Sequence, residues 1–337
     1  MTPAGDATRW QLAAAFAAVY LIWGSTYIAI LFAIETLPPF WMAAARFLVA
    51  GSLLYAWARW RGAPAPTRLH WRGAAVVGAL LLMGGNGGVV WAEQRVPSGL
   101  AALLVATVPL WMVTLDGAGR GWRRPPVQVL LGIAIGLAGV GLLVGPGHMA
   151  GGQAVDPLGA GVLVLASLSW ATGSLYARRA PLPSSPLLGT AMEMIGGGLC
   201  LAVVGLIAGE HRRLDLAAAS PKSLLALAYL VVFGSLVGFT AYVFLLRHTR
   251  PALVATYAYV NPVVAVLLGW ALAGEPLTAR TLLAGAVIVG AVVLITTHRQ
   301  KPAAVVEVAD KENAAEPPPL VASRERLRVA SASAVDG

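Results

Sequence analysis

Two charged side chains stand where charge is scarce. Arg46 and Glu193 each fall inside a long apolar run, and they lie 147 residues apart. A charge held in hydrocarbon costs ~2.5–3.5 kcal/mol or more, so such residues mark function by default. Arg46 offers a fork of N–H donors suited to a substrate carboxylate, and Glu193 can take an amine or a proton. Each lies seven residues into its run, ~10 Å deep at 1.5 Å per residue, but they enter from opposite faces. Their side chains either meet or serve separate half-cavities. The competing readings are snorkelling for Arg46 and a shallow structural ion pair for Glu193.

Around them lie groups able to hold an amphipathic molecule. Trp23, Ser25 and Thr26 occupy the first apolar run, and Trp170 the sixth. An indole gives a cavity an apolar wall and one donor, whereas small hydroxyls beside glycines also serve helix packing. Asn86 stands within Gly84-Gly85-Asn86-Gly87-Gly88 and needs a partner in the bundle or the substrate. That glycine run lacks the Lys and Ser/Thr of a phosphate loop. Trp91 follows near the run's outer end, and Glu93 is read as a solvated rim residue. Pro109 and Pro262 are read as helix kinks that shape a cavity, because proline removes a backbone hydrogen bond. Asn261 and Tyr257 are candidate contacts beside the second kink.

The elements that must position these groups follow from composition. Of 337 residues, 58% are hydrophobic and 12% charged, with mean hydropathy +0.74. Soluble domains carry roughly 25% charged residues. The pattern implies an all-α integral membrane protein, since runs of about 20 apolar residues suit helices that span hydrocarbon. Ten spans are predicted near 11–32, 39–58, 73–91, 97–115, 127–145, 158–177, 186–208, 223–246, 251–272 and 278–297. Residues 1–10 form a cytoplasmic N-terminus, and 299–337, with Pro317-Pro318-Pro319, a disordered cytoplasmic tail. The lone Cys200 excludes a disulfide framework, and neither a metal nor another cofactor is implied.

The net charge of +9 reads as orientation. With the N-terminus inside, fourteen Lys and Arg lie on the cytoplasmic side, including Arg59, Arg61, Arg68 and Arg72 and counting Arg299 and Lys301 at the start of the tail. Five lie outside: Arg95, Arg212, Arg213, Lys222 and Arg280. That bias places both termini in the cytoplasm and argues against nucleic acid as a partner.

The halves repeat. At an offset of 147, Trp23, Pro39, Ala44, Gly51 and Leu54 meet Trp170, Pro186, Ala191, Gly198 and Leu201. At 153, Leu100, Ala102, Pro109, Val113 and Leu115 meet Leu253, Ala255, Pro262, Val266 and Leu268. Five spans per half make the repeats, 11–145 and 158–297, inverted about an axis in the membrane plane. This is the plan of secondary transporters, with the substrate near the midplane.

Local motifs agree. Leu21-Ile22-Trp23-Gly24-Ser25-Thr26-Tyr27 and Ala43-Ala44-Ala45-Arg46-Phe47 resemble the first two spans of the EamA-type branch of the drug/metabolite transporter superfamily. Ala92-Glu93-Gln94, Val96-Pro97-Ser98-Gly99-Leu100 and Ala106-Thr107-Val108-Pro109-Leu110 are similar to its YedA-like members. Asn261-Pro262 and Gly274-Glu275-Pro276-Leu277-Thr278 also fit. One departure stands out: the first half carries Gly121-Trp122-Arg123-Arg124-Pro125 in place of the acidic Glu-x-x-Thr turn. The resemblance implies ten helices around a central cavity. It also implies an inner-membrane exporter of amino acids or related amphipathic metabolites, a monomer or homodimer in the bilayer with protons as possible co-substrate. A facilitator without proton coupling is the nearest alternative. An integral membrane enzyme is further off, since no catalytic motif is present.

Overall fold

The computed structural model describes residues 8–119, 127–144, 156–215, 217–249, 254 and 256–297. The expected tail at 299–337 lies outside these. Every regular element among the described residues is helical. In chain order they are α1 (Arg9–Ala33), α2 (Pro39–Trp60), α3 (Arg68–Ala92), α4 (Ser98–Val105), α5 (Val108–Gly119) and α6 (Val127–Val144). Then come α7 (Pro157–Ala177), α8 (Pro186–Ile207), α9 (Pro221–Leu245), α10 (Tyr257–Ala273) and α11 (Ala279–Thr297).

Six of these, α1, α2, α3, α7, α8 and α9, are long and apolar enough to cross a membrane. Ser98–Met112, Leu130–Leu142, Val260–Ala273 and Ala279–Leu294 are shorter apolar stretches. Large apolar side chains such as Val49, Leu53, Leu130, Leu165, Leu199 and Leu267 are exposed around the bundle. A surface so apolar suits lipid rather than water.

The sequence writes the helix starts. Pro157, Pro186 and Pro221 take the first helical position, where a missing N–H costs nothing. The residue before each, Asp156, Ser185 or Ser220, caps the helix with its side chain. Thr8 and Gln11 form a capping box on α1.

The fourth span of the first half differs from expectation. Residues 97–115 form two helices, broken at Ala106 and Thr107. The Thr107 hydroxyl donates to Leu104 O at 2.7 Å and closes the break. Pro109 therefore lies at the second residue of α5 rather than at a kink inside a long helix. There its missing N–H leaves no bond unmade. In the second half, α10 runs Tyr257–Ala273 with Pro262 inside it, and residues 251–253 of the expected span lie outside the described residues.

The two halves cross-pack. α1 packs on α9 and α10, while α7 packs on α3, α4 and α5. Equivalent helices pair directly, α2 with α8 and α6 with α11. The α2–α8 crossing is reciprocal. A Cβ at Gly51 would lie 3.0 Å from Ile195 Cγ1, and one at Gly198 2.9 Å from Leu48 Cγ. These are the same contacts exchanged at the 147 offset. α3 and α9 each contain a π-helical stretch, Ala79–Asn86 and Leu230–Val237. A π turn shifts side-chain register and is concentrated at functional sites.

Candidate functional site

The cross-packing makes Trp23 a hub. Its ring meets Phe239 and Tyr242 at 5.2 Å and Tyr257 at 5.3 Å between centroids. Trp23 Nε1 donates to Gly234 O at 3.2 Å, inside the π stretch of α9. Gly238 keeps the indole seated, because a Cβ there would collide with Nε1. The counterpart is built in reverse. Trp170 lies on Gly85, where a Cβ would approach its Cε3 to 2.8 Å. Each half thus lends its tryptophan to a glycine of the other half's π region.

Arg46 sits one layer away and is 4% exposed. Its Nε donates to Ser235 Oγ at 3.0 Å, and its guanidinium lies 4.8 Å from the Phe47 ring centroid. Gly234 again makes room, since a Cβ there would come within 3.1 Å of Arg46 Nη2. The arginine is therefore held inside the bundle and does not snorkel. Among the described residues no ion pair joins it to Glu193. Glu193 lies on α8, where its carbonyl faces Gly78. Tyr242 lies within electrostatic reach of both Glu193 and Arg178. The two embedded charges are separate features.

The carboxylate in electrostatic reach of Arg46 is Glu93. The rim reading of Glu93 is wrong. Glu93 is 3% exposed, and neither carboxyl oxygen has a hydrogen-bond partner. Tyr27, Arg46 and Glu275 are its charged or titratable neighbours. Three groups that sequence reasoning did not place in the site thus join the candidates: Glu93, Tyr27 and Ser235. Tyr27 lies one helical turn from Trp23, and Glu93 directly follows the apolar run Val89-Val90-Trp91-Ala92, which were the available signals.

The remaining candidates divide. Ser25 Oγ donates to Ile22 O at 2.8 Å and lies 2.6 Å from the Tyr229 hydroxyl, tying α1 to α9. Thr26 Oγ1 donates to Trp23 O at 2.7 Å. With its amide turned to donate, Asn261 bridges Tyr257 O and Tyr20 O, both at 3.2 Å. Tyr20 and Thr256 share a 2.5 Å hydroxyl contact beside it. Asn261 thus serves as a tie between α10 and α1. Asn86 closes the π stretch of α3, half-buried. Trp91 carries the Arg95 guanidinium 5.0 Å from its ring centroid, and Arg95 pairs with Asp156 at 3.7 Å.

One end of the bundle is latched by carboxylates. Glu275 follows Gly274, whose φ of 65° lets the chain turn back after α10. It accepts from Ser98 N at 2.6 Å, Ser98 Oγ at 2.7 Å and Gly99 N at 2.9 Å. An anion here meets the positive end of α4. Glu210 likewise accepts from Phe40 N and Trp41 N, at 3.0 and 3.1 Å, capping α2 from the second half. Burial pushes the Glu210 carboxyl above its ordinary range, against the pull of those amides and Arg213. Glu35 and Lys222 pair at 2.5 Å on the same end.

A helical membrane bundle of crossed halves, with a buried arginine and aromatic box at the crossing, has the build of a transporter. Residues 9–145 and 157–297 each match the EamA-like transporter family. The chain belongs to that family, whose members are transporters and not enzymes. It is 46% identical over 280 residues to the uncharacterized inner membrane transporter YedA of Escherichia coli (strain K12). That match covers 83% of this chain and 88% of the relative. An uncharacterized transporter of Archaeoglobus fulgidus is 25% identical over 285 residues, covering 83% and 96% of the two chains. A solved crystal structure, 23% identical, shares the fold with TM-score 0.59 over 86% of this chain and 98% of that one.

Proposed function

We propose that this chain is a secondary transporter that exports small amphipathic metabolites, amino acids or their relatives, across an inner membrane by alternating access. It does so through ten spans arranged as two inverted repeats, 11–145 and 158–297, with both termini in the cytoplasm. The reciprocal contacts Gly51–Ile195 and Gly198–Leu48 support the inversion, as does the exchange of Trp23 and Trp170 between halves. The observation that carries the reading is Arg46. It is buried and anchored through one nitrogen to Ser235 on the opposite half. A guanidinium in that setting supplies a strong, directional site for a substrate carboxylate. The Trp23, Tyr242 and Tyr257 rings lie close by for an apolar side chain.

Counterflow in proteoliposomes, run over a panel of amino acids and metabolites, tests this. Arg46→Ala is expected to lower transport at least tenfold, and Arg46→Lys to recover only part of it, since lysine lacks the fork. Normal transport by Arg46→Ala would place the substrate elsewhere.

A further inference from the structure

Glu93 is the one carboxyl among the described residues that is buried at both oxygens without a hydrogen-bond partner. An ionised carboxylate in that setting needs a cation or a set of donors; without either it takes up a proton instead. The surroundings sharpen the choice. From α2, Arg46 offers positive charge in electrostatic reach, but no ion pair forms. From α1, Tyr27 faces it. From the turn after α10 comes a second carboxylate, Glu275, already satisfied by three donors. Arg95, two residues along, turns away to Trp91 and Asp156.

We propose that Glu93 is the proton-carrying residue of the transport cycle, protonated while the latched end is closed and released to water when Glu275 lets go of α4. The proposal adds the coupling ion and its carrier to the transport reading above, and rests on that reading for its role in the cycle. The chemistry balances as a simple exchange: one proton leaves Glu93 for the opened aqueous path, and one returns before closure. Arg46 remains charged throughout. Its field favours ionisation of Glu93 once water enters, while Glu275 opposes it, so the state of the latch sets the proton's fate. The first half lacks an acidic residue at the corresponding turn, Gly121-Trp122-Arg123-Arg124-Pro125. This control therefore belongs to one end only.

Infrared spectroscopy of the purified full chain in nanodiscs tests the proposal without any substrate. At neutral pH the protein should show the carbonyl stretch of a protonated carboxylic acid. One component of that absorption should vanish in Glu93→Gln, shift but persist in Glu93→Asp, and remain in Glu35→Gln, Glu193→Gln and Glu210→Gln. On transfer to heavy water it should exchange slowly, and at least tenfold faster in Glu275→Ala. A missing band, or an absorption unchanged in Glu93→Gln, overturns the assignment even if transport proceeds. Equal exchange rates in Glu275→Ala would overturn the control by the latch. If no compound were transported while the band behaved as expected, the transport reading would fail and the protonated Glu93 would stand.

Discussion

The two ends of the bundle are held by different physics. At one end, carboxylates reach between halves: Glu275 caps α4, Glu210 caps α2, and Glu35 meets Lys222. At the other, the described contacts are local or van der Waals in kind. Thr67 and His70 cap α3 from within, Arg59 donates to Ala63 O, and Gly73 passes close to Pro181. Charge-assisted bonds to helix termini are strong yet break without disturbing a packed core. Small-residue packing is weaker per contact and spread over a surface. In the proposed transport cycle, the carboxylate end is the gate that opens as a unit.

Glu275→Ala strips three donors of their acceptor and should cost ~3 kcal/mol, since buried donors left unpaired from a charged partner are expensive. Thermal unfolding of purified protein would register it. Gly238→Ala forces Trp23 off its seat and should cost ~1–3 kcal/mol by overpacking, with a shift in tryptophan emission. Gly85→Ala should cost less, because only the edge of Trp170 is displaced. Glu210→Ala removes a cap worth ~1 kcal/mol. Because burial raises its carboxyl, the folded state holds the Glu210 proton more tightly than the unfolded chain. Stability should therefore fall as pH rises through its titration, and Glu210→Gln should flatten that slope. Lys222→Ala, on an exposed pair, should change stability by no more than ~0.5 kcal/mol.

Much of this was legible in the residues. The apolar runs placed the six long helices, and the offset of Gly51 and Gly198 is the crossing of α2 and α8 itself. Trp23 and Arg46 stand out in the sequence because indole and charge are conspicuous in an apolar span. Other features were not legible, for physical reasons. The break before Pro109 depends on a threonine hydroxyl bonding three residues back, a choice that a helix interior would also permit. Glu93 stands one residue past a span, where local pattern reads as surface. Its burial comes from helices distant in sequence, as does the fate of Asn261, whose amide is taken by backbone carbonyls. Glu275 belongs to a recognisable turn, but that it caps α4 is a fact of tertiary structure.

The account turns on whether Glu275 holds the gate shut over Arg46 and Glu93. Spin labels at Gln94 and Ala273, both exposed at that end, can be placed in a Cys200→Ser background and their separation measured by double electron–electron resonance. The account predicts a short distance as the main population in the otherwise unaltered protein, and a shift toward a longer one in Glu275→Ala. A single distribution, identical with and without Glu275, would contradict it.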